Sequence, residues 1–191
     1  MRFIFFLLFG SMVALGIGLG LSYYALTDGR LAGARQIGPW LAWTETGQPR
    51  PDPYTRAYLA RRGNLQLGTA EGLQFVAEID SDGQALDRAC TYLVDGKTPT
   101  AVLWTLTAID LDGRNIAASP DFIYLDSEHL SRAADGSAVI RVGRSLSPGD
   151  WLEIGGTGPF QLVLNLYDTS VTSGADWSQD EMPSITRERC A

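Results

Sequence analysis

The feature that most constrains this chain is an uninterrupted apolar segment near its N-terminus. Phe3 to Leu26 is 24 residues without a charge, and as a helix such a segment is about 36 Å long, enough to cross a bilayer. A cleaved secretory signal has a shorter apolar core of about 7 to 15 residues, then small residues at the cleavage site. Here bulky Tyr23 stands three places before the cleavage that Ala25 would otherwise permit. We therefore predict an uncleaved transmembrane anchor over residues 1–26.

Two pairs of residues in the anchor indicate how it sits in a membrane. Tyr23 and Tyr24 lie where an interfacial aromatic belt is expected. Gly16 and Gly20 form a GxxxG motif, which lets two helices approach closely. The motif is common by chance in glycine-rich apolar segments, so self-association, pairing with another membrane helix and no pairing all stay open.

The charges divide unevenly along the chain. Residues 2–62 hold seven arginines against three acidic residues, whereas residues 63–191 hold eight basic residues against nineteen acidic ones. The basic part is therefore nearest the membrane, where anionic lipids attract it, although the arginines are spread out as in a solvated linker. The acidic part repels phosphate backbones, which argues against nucleic-acid binding.

The two cysteines bear on the compartment. Cys90 and Cys190 both follow the anchor, and pairing them requires an oxidising environment. A two-residue N-terminal tail is normally left in the cytoplasm. Together these observations predict a single-pass protein of the inner (plasma) membrane with its C-terminal domain in the periplasm. The alternative is two unrelated buried thiols in a cytosolic domain.

Residues 27–52 read as a linker. Prolines punctuate the segment, and Trp40 and Trp43 are candidate interfacial anchors, so we expect no core there. Asp52-Pro53 is a typical helix start, and the residues up to Arg62 predict one short amphipathic helix.

The period then changes to that of β-strands, and a domain over 53–191 has the length of a single unit. Five β-rich runs are evident: Leu73–Ile79, Ala89–Val94, Ala101–Ile109, Ala138–Val142 and Phe160–Tyr167. Four Asp-Gly pairs are typical of tight hairpin turns: Asp82-Gly83, Asp95-Gly96, Asp112-Gly113 and Asp135-Gly136. Little else is helical, so the predicted fold class is all-β, an antiparallel β-sandwich of jelly-roll type.

Several of these motifs together resemble a known bacterial family. They are Leu103–Thr107 leading to Asp110–Gly113, then Asp135–Ser137, Trp151-Leu152, Pro159–Leu162, Leu166-Tyr167, and Trp177 before Pro183–Ile185. Over residues 86–190 their order and spacing resemble domain of unknown function 1214. The resemblance implies a jelly-roll sandwich and no established activity. Many members carry this domain behind domain of unknown function 1254, which implies a separate partner protein bearing that domain.

Few residues suggest chemistry. His129 is the one histidine and could carry a proton beside Asp126, although a histidine in a polar loop is usually a surface residue. Two carboxylate runs, Asp80–Gly83 and Asp110–Gly113, resemble the start of calcium loops but do not continue correctly, and hairpin turns explain both better. Trp151 and Trp177 are broad-faced contact candidates, whereas Trp104 alternates within an apolar strand as a core residue does.

These observations support a membrane-tethered interaction or ligand-binding module of the cell envelope, with no catalytic residues, cofactor or metal assigned. The candidate contact residues are Trp177, Trp151 and His129, and the predicted disulfide joins Cys90 to Cys190. The alternative is an envelope hydrolase that acts on glycan or lipid through two convergent carboxylates.

Overall fold

The apolar N-terminal segment is one long helix. In a computed structural model of the chain, α1 spans Arg2–Asp28. Its stretch Arg2–Tyr24 is long and apolar enough to cross a membrane, and none of it is buried against the rest of the protein. For the predicted anchor over residues 1–26, the structure thus confirms one N-terminal helix that is long enough to span a membrane.

The structure describes residues 2–28, 33–46, 48, 50–62, 67–68, 71–169 and 182–190. Within these residues one short helix and ten strands follow α1: β1 Ala34–Ile37, β2 Trp40–Trp43, α2 Pro53–Arg62, β3 Gly72–Ala77, β4 Cys90–Gly96, β5 Leu103–Ile109, β6 Leu125–Asp126, β7 Ala138–Gly143, β8 Asp150–Glu153, β9 Gln161–Tyr167 and β10 Ser184–Cys190. The five predicted strands are all present, as β3, β4, β5, β7 and β9.

The strands form two sheets. The first has the order β1-β2-β3-β9-β5-β6 and the second the order β10-β4-β7-β8. All pairs are antiparallel except β7 with β8, which is parallel, so the prediction of a purely antiparallel sandwich is wrong at this edge. Because β7 and β8 run in the same direction, residues 144–149 carry the chain back to the start of β7 instead of forming a hairpin turn. Gly149 has a φ of 82° there, and the Trp151 indole donates a hydrogen bond to the Gly143 carbonyl at 3.1 Å.

One hydrophobic core joins the two sheets. Alternate residues of β5 are buried, as a pleated strand with one covered face requires, and Trp104 is among them as predicted. The fully buried Phe75 and Leu164 of the first sheet belong to the same core cluster as Tyr92 and Val142 of the second. The fold is therefore mostly β, with both sheets sharing one interior.

The prediction of a coreless linker over residues 27–52 is wrong. β1 and β2 form a hairpin through Gly38, whose φ is 55°, and β2 pairs with β3. Trp40 and Trp43 are buried in the domain and do not serve as interfacial anchors. The Trp40 indole donates a hydrogen bond to the Pro183 carbonyl at 2.6 Å, and Trp43 stacks on Tyr58 of α2. The free energy gained by removing two indoles from water is larger than the local preference for loop structure that the prolines create.

The helix α2 confirms the predicted short helix at both ends. Asp52 caps it by accepting hydrogen bonds from the backbone N–H groups of Tyr54 and Thr55, at 2.9 and 3.1 Å. Burial acts to raise the pKa of the Asp52 carboxyl, but hydrogen bonds from Thr55 and Tyr54 outweigh it and the pKa is lowered.

Three of the four Asp-Gly pairs form the predicted tight turns, with positive φ at Gly83, Gly113 and Gly136. Asp95-Gly96 does not; both residues lie in β4 and pair with β7. The two runs that resembled calcium loops are hairpin turns. In each, the carboxylate of the first Asp accepts two hydrogen bonds from the backbone of its own turn.

Candidate functional site

His129 lies on the surface and pairs with Asp126. Its side chain is 79% exposed, and its Nδ1 atom is 2.7 Å from an Asp126 carboxylate oxygen. Burial acts to raise the pKa of Asp126, but hydrogen bonds from His129 and from the backbone of Glu128 and His129 lower it overall. The carboxylate also fixes the loop backbone, because the same oxygen accepts the N–H groups of Glu128 and His129. This arrangement orders a loop and presents no nucleophile.

Of the other two predicted contact residues, the structure describes Trp151. It is half-buried on β8, where its indole is engaged with the Gly143 carbonyl. Trp177 lies outside the described residues. Within the described residues no hydrogen bond or ring contact joins Trp151 to His129.

The predicted disulfide is present between Cys90 and Cys190. The two cysteines are direct partners in the register of β4 and β10. Cys90 is buried and Cys190 is exposed. The bond therefore fixes the last described residue of β10 to the first residue of β4 and forms part of the protein surface.

A cleft of about 390 Å³ opens beside this disulfide. We call it the arginine cleft; its lining residues are Arg88, Ala89, Cys90, Thr91, Arg144, Ser145, Arg189 and Cys190. Three strands of the second sheet meet there: the start of β4 and the ends of β7 and β10. Its volume is within the range of small-molecule sites. Three of its eight lining side chains are guanidinium groups and none is acidic.

The loop 155–158 positions Arg88. The backbone N–H of Arg88 donates to the Gly158 carbonyl at 3.0 Å, and its guanidinium approaches the Gly155 carbonyl at 3.4 Å. Gly156 has a φ of 76°, and a Cβ atom there would lie 2.7 Å from the guanidinium, so a side chain would displace Arg88. The Arg88 Nε atom is buried without a hydrogen-bond partner. Arg88 is therefore held in place with donor capacity to spare.

The other two arginines are exposed. In the described residues neither Arg144 nor Arg189 forms an ion pair. The nearest acidic residue in sequence, Glu188, sits at a bulge in β10 and pairs with Arg141 at 3.5 Å. The bulge carboxylate is thus engaged with a residue that does not line the cleft.

The arrangement favours an anion. Three like charges around one cleft repel each other, and a bound anion relieves that repulsion while accepting hydrogen bonds from the guanidinium groups. The cleft is also positively charged within an acidic part of the chain, since residues 63–191 carry eleven more negative than positive charges. As for metals, no group of three or more His, Cys, Asp or Glu side chains in the described ranges is placed to hold an ion.

These arginines were not predicted as site residues, although the sequence contains a signal for two of them. Arg88 stands two residues before Cys90, and Arg189 directly precedes Cys190. Once the cysteines are paired, both arginines must lie near the bond. Arg144 has no such marker, because only the pairing of β7 with β4 brings it there.

Comparison with known proteins gives a family and a fold. Residues 71–171 match the family model described as "Protein of unknown function (DUF1214)", which confirms the resemblance drawn from residues 86–190. A search of the curated proteins returned no match.

Two solved structures are similar. The VPA0106 protein from Vibrio parahaemolyticus is 20% identical, with a TM-score of 0.55, and the match covers 71% of this chain and 35% of that one. An uncharacterized protein from Burkholderia cenocepacia is 17% identical, with a TM-score of 0.48, over 90% of this chain and 42% of that one. The chain thus spans well under half the length of either protein. The similarity between this chain and the Vibrio structure is one of fold alone.

Proposed function

Because the chain belongs to the DUF1214 family of proteins of unknown function, we propose a function from its own residues: it is a membrane-anchored module of the cell envelope that binds a small anionic ligand in the arginine cleft. The observation that carries the proposal is the meeting of Arg88, Arg144 and Arg189 around one cleft, with no acidic side chain among the described residues that line it. A ligand with phosphate or carboxylate groups fits this donor set, since guanidinium groups bind both in a bidentate way.

Loss of a cleft guanidinium should weaken anion binding. We expect the full chain in detergent micelles to bind inorganic phosphate or malonate saturably, with one ligand per chain. Arg144→Gln and Arg189→Gln should each raise the dissociation constant about tenfold, because each removes a charge-assisted hydrogen bond. Isothermal titration calorimetry measures both quantities.

The matched control is Arg114→Gln. Arg114 is also exposed, but it lies on a different turn and pairs with Asp112, so its loss changes the net charge equally without touching the cleft. Binding that falls as much in this control as in Arg144→Gln would reflect overall charge and contradict the proposal. So would the absence of saturable binding of either anion.

The envelope location is part of the proposal. It is supported by the long apolar α1 and by the Cys90–Cys190 bond, because such bonds persist in oxidising compartments. We place α1 as an uncleaved single-pass anchor in the inner membrane and the domain in the periplasm. The jelly-roll connectivity that the resemblance implies also belongs here, and the shared core of the two sheets supports it.

The location predicts the redox state in cells. In a Gram-negative host whose thiols are alkylated at lysis, the membrane-fraction protein should migrate faster on a gel without reductant than with it. The difference should vanish in Cys90→Ser, because the bond then cannot form. Fully alkylated cysteines in the wild-type protein would instead place the domain in the cytoplasm and overturn the proposed location.

Two partners complete the proposal. A separate protein with domain of unknown function 1254 would meet the domain at the membrane, and a second α1 helix would pack on Gly16 and Gly20, next to which the structure leaves open space. The alternative of a carboxylate-based hydrolase draws no support from the arginine cleft, where the described lining residues carry no carboxylate side chain.

A further inference from the structure

The short helix α2 touches the C-terminal end of the anchor. The guanidinium carbon of Arg61 lies 5.3 Å from the centroid of the Tyr23 ring, which is a cation–π distance. The contact joins a residue at the end of the membrane-spanning stretch to a residue of the folded domain. It therefore sets the height of α2 relative to the membrane.

That height is the level of the lipid headgroups. The spanning stretch Arg2–Tyr24 has 23 residues, which is about 35 Å of helix, slightly more than the hydrocarbon core of about 30 Å. If Arg2 is at one boundary, Tyr23 is at the other, where tyrosine is enriched. Arg61, stacked on this ring, is then in the zone of the phosphates.

The two faces of α2 differ in what they meet. Thr55 and Tyr58 are buried toward the domain, where Tyr58 stacks on Trp43. Outside this buried stripe the side chains of Tyr54, Arg56 and Arg61 are exposed, and the two arginines, five residues apart, lie about 140° from each other around the helix. Residues 53–62 include three arginines and no acidic residue. The exposed surface of α2 therefore carries positive charge on two sides, and Arg61 is at the depth where phosphates are found.

We infer that the exposed surface of α2, flanked by Arg56 and Arg61, binds the headgroups of anionic phospholipids and holds the domain down on the bilayer. The charge is complementary, and the acidic remainder of the domain would otherwise be repelled by such a surface. The inference rests on the proposed anchoring by α1 and is independent of ligand binding in the arginine cleft.

The test compares amide hydrogen exchange of the full chain in two nanodiscs, one of phosphatidylcholine and one with a quarter of its lipid replaced by phosphatidylglycerol. We expect the amides of residues 53–62 to exchange about tenfold more slowly in the anionic discs, and the difference to disappear in 1 M salt. Arg56→Gln should abolish most of it without disturbing the Arg61–Tyr23 contact, and Arg61→Gln, which removes that contact, should also abolish most of it. Arg114→Gln, on the distant turn, should leave it unchanged.

Two outcomes separate this inference from the proposal on which it rests. Equal exchange of residues 53–62 in both discs, with the amides of α1 protected, would overturn headgroup binding and leave the anchor intact. Rapid exchange of α1 in the discs would show that the helix is not inserted, and would overturn both. An Arg56→Gln variant that keeps full lipid-dependent protection would also overturn the inference.

Discussion

Removing the Cys90–Cys190 disulfide should lower the free energy of unfolding by about 3 to 5 kcal/mol, the largest effect that we expect from any single covalent change. The bond closes a loop with a sequence separation of 100 residues, so its loss releases a large conformational freedom in the unfolded chain. In the folded state it joins β4 to β10, an edge strand of the second sheet. The variant to study is Cys90→Ser with Cys190→Ser, since it leaves no single reactive thiol.

Urea unfolding of the full chain in detergent, followed by tryptophan fluorescence, measures the difference, because Trp40, Trp43 and Trp104 are buried. Reductant should destabilise the wild-type protein to the level of the double variant and leave the double variant unchanged. A loss below about 1 kcal/mol would contradict the prediction and imply that the unfolded chain is already restrained without the bond.

Asp80→Ala should destabilise the domain by about 3 to 4 kcal/mol, because it leaves a partly buried cation unpaired. The Asp80 side chain is 2% exposed and its carboxylate is 3.1 Å from the Arg187 guanidinium. It also accepts the backbone N–H groups of Asp82 and Gln84 at 3.2 and 2.8 Å.

Arg187 makes further contacts, which would be lost if the removal of Asp80 let its side chain move. Its guanidinium lies 5.5 Å from the Tyr92 ring and donates to the Ala85 carbonyl at 2.8 Å. Burial raises the pKa of Tyr92, so its phenol stays neutral beside this cation and accepts the backbone N–H of Asp87. The Asp80 carboxylate is therefore the counterion of the partly buried Arg187 guanidinium.

Asp110→Ala is a matched control for Asp80→Ala. Asp110 has the same place in an equivalent turn and accepts the N–H groups of Asp112 and Arg114 at 3.0 and 2.8 Å, but in the described residues it forms no ion pair with an arginine. Its replacement should cost about 1 kcal/mol. The same urea titration measures both variants, and equal losses would refute a special role for the Asp80–Arg187 pair.

The features that the sequence predicted correctly are those with a local signal. Residues 104–108 of β5 alternate apolar and polar side chains as a half-buried strand does, and Asp52-Pro53 starts a helix where it should. The hairpin of β1 and β2 was missed because each strand has only four residues, too few for a period to appear. Trp40 and Trp43 suit a membrane interface as well as a core, and only the pairing of β2 with β3 decides between them.

The candidate site was harder to predict than the fold. His129 and Trp151 were chosen for their chemical type, yet each makes a contact that orders its own segment. The arginines of the cleft lie at or next to the ends of three strands that are distant in sequence, so no motif contains them. The pairing of Cys90 with Cys190 was predicted because both cysteines follow the anchor, and its consequence for Arg88 and Arg189 follows from position alone.

The pairing of β4 with β10 also sets when the cleft can exist during synthesis. A ribosome adds about 5 to 20 residues per second, so Cys190 is made about 5 to 20 seconds after Cys90, given their separation of 100 residues. Until then the nascent chain has β4 with one edge open and a cleft without Arg189. A chain that stops before β10 never acquires it. Formation of the arginine cleft therefore marks a domain that has been translated as far as β10 and in which β10 is paired with β4.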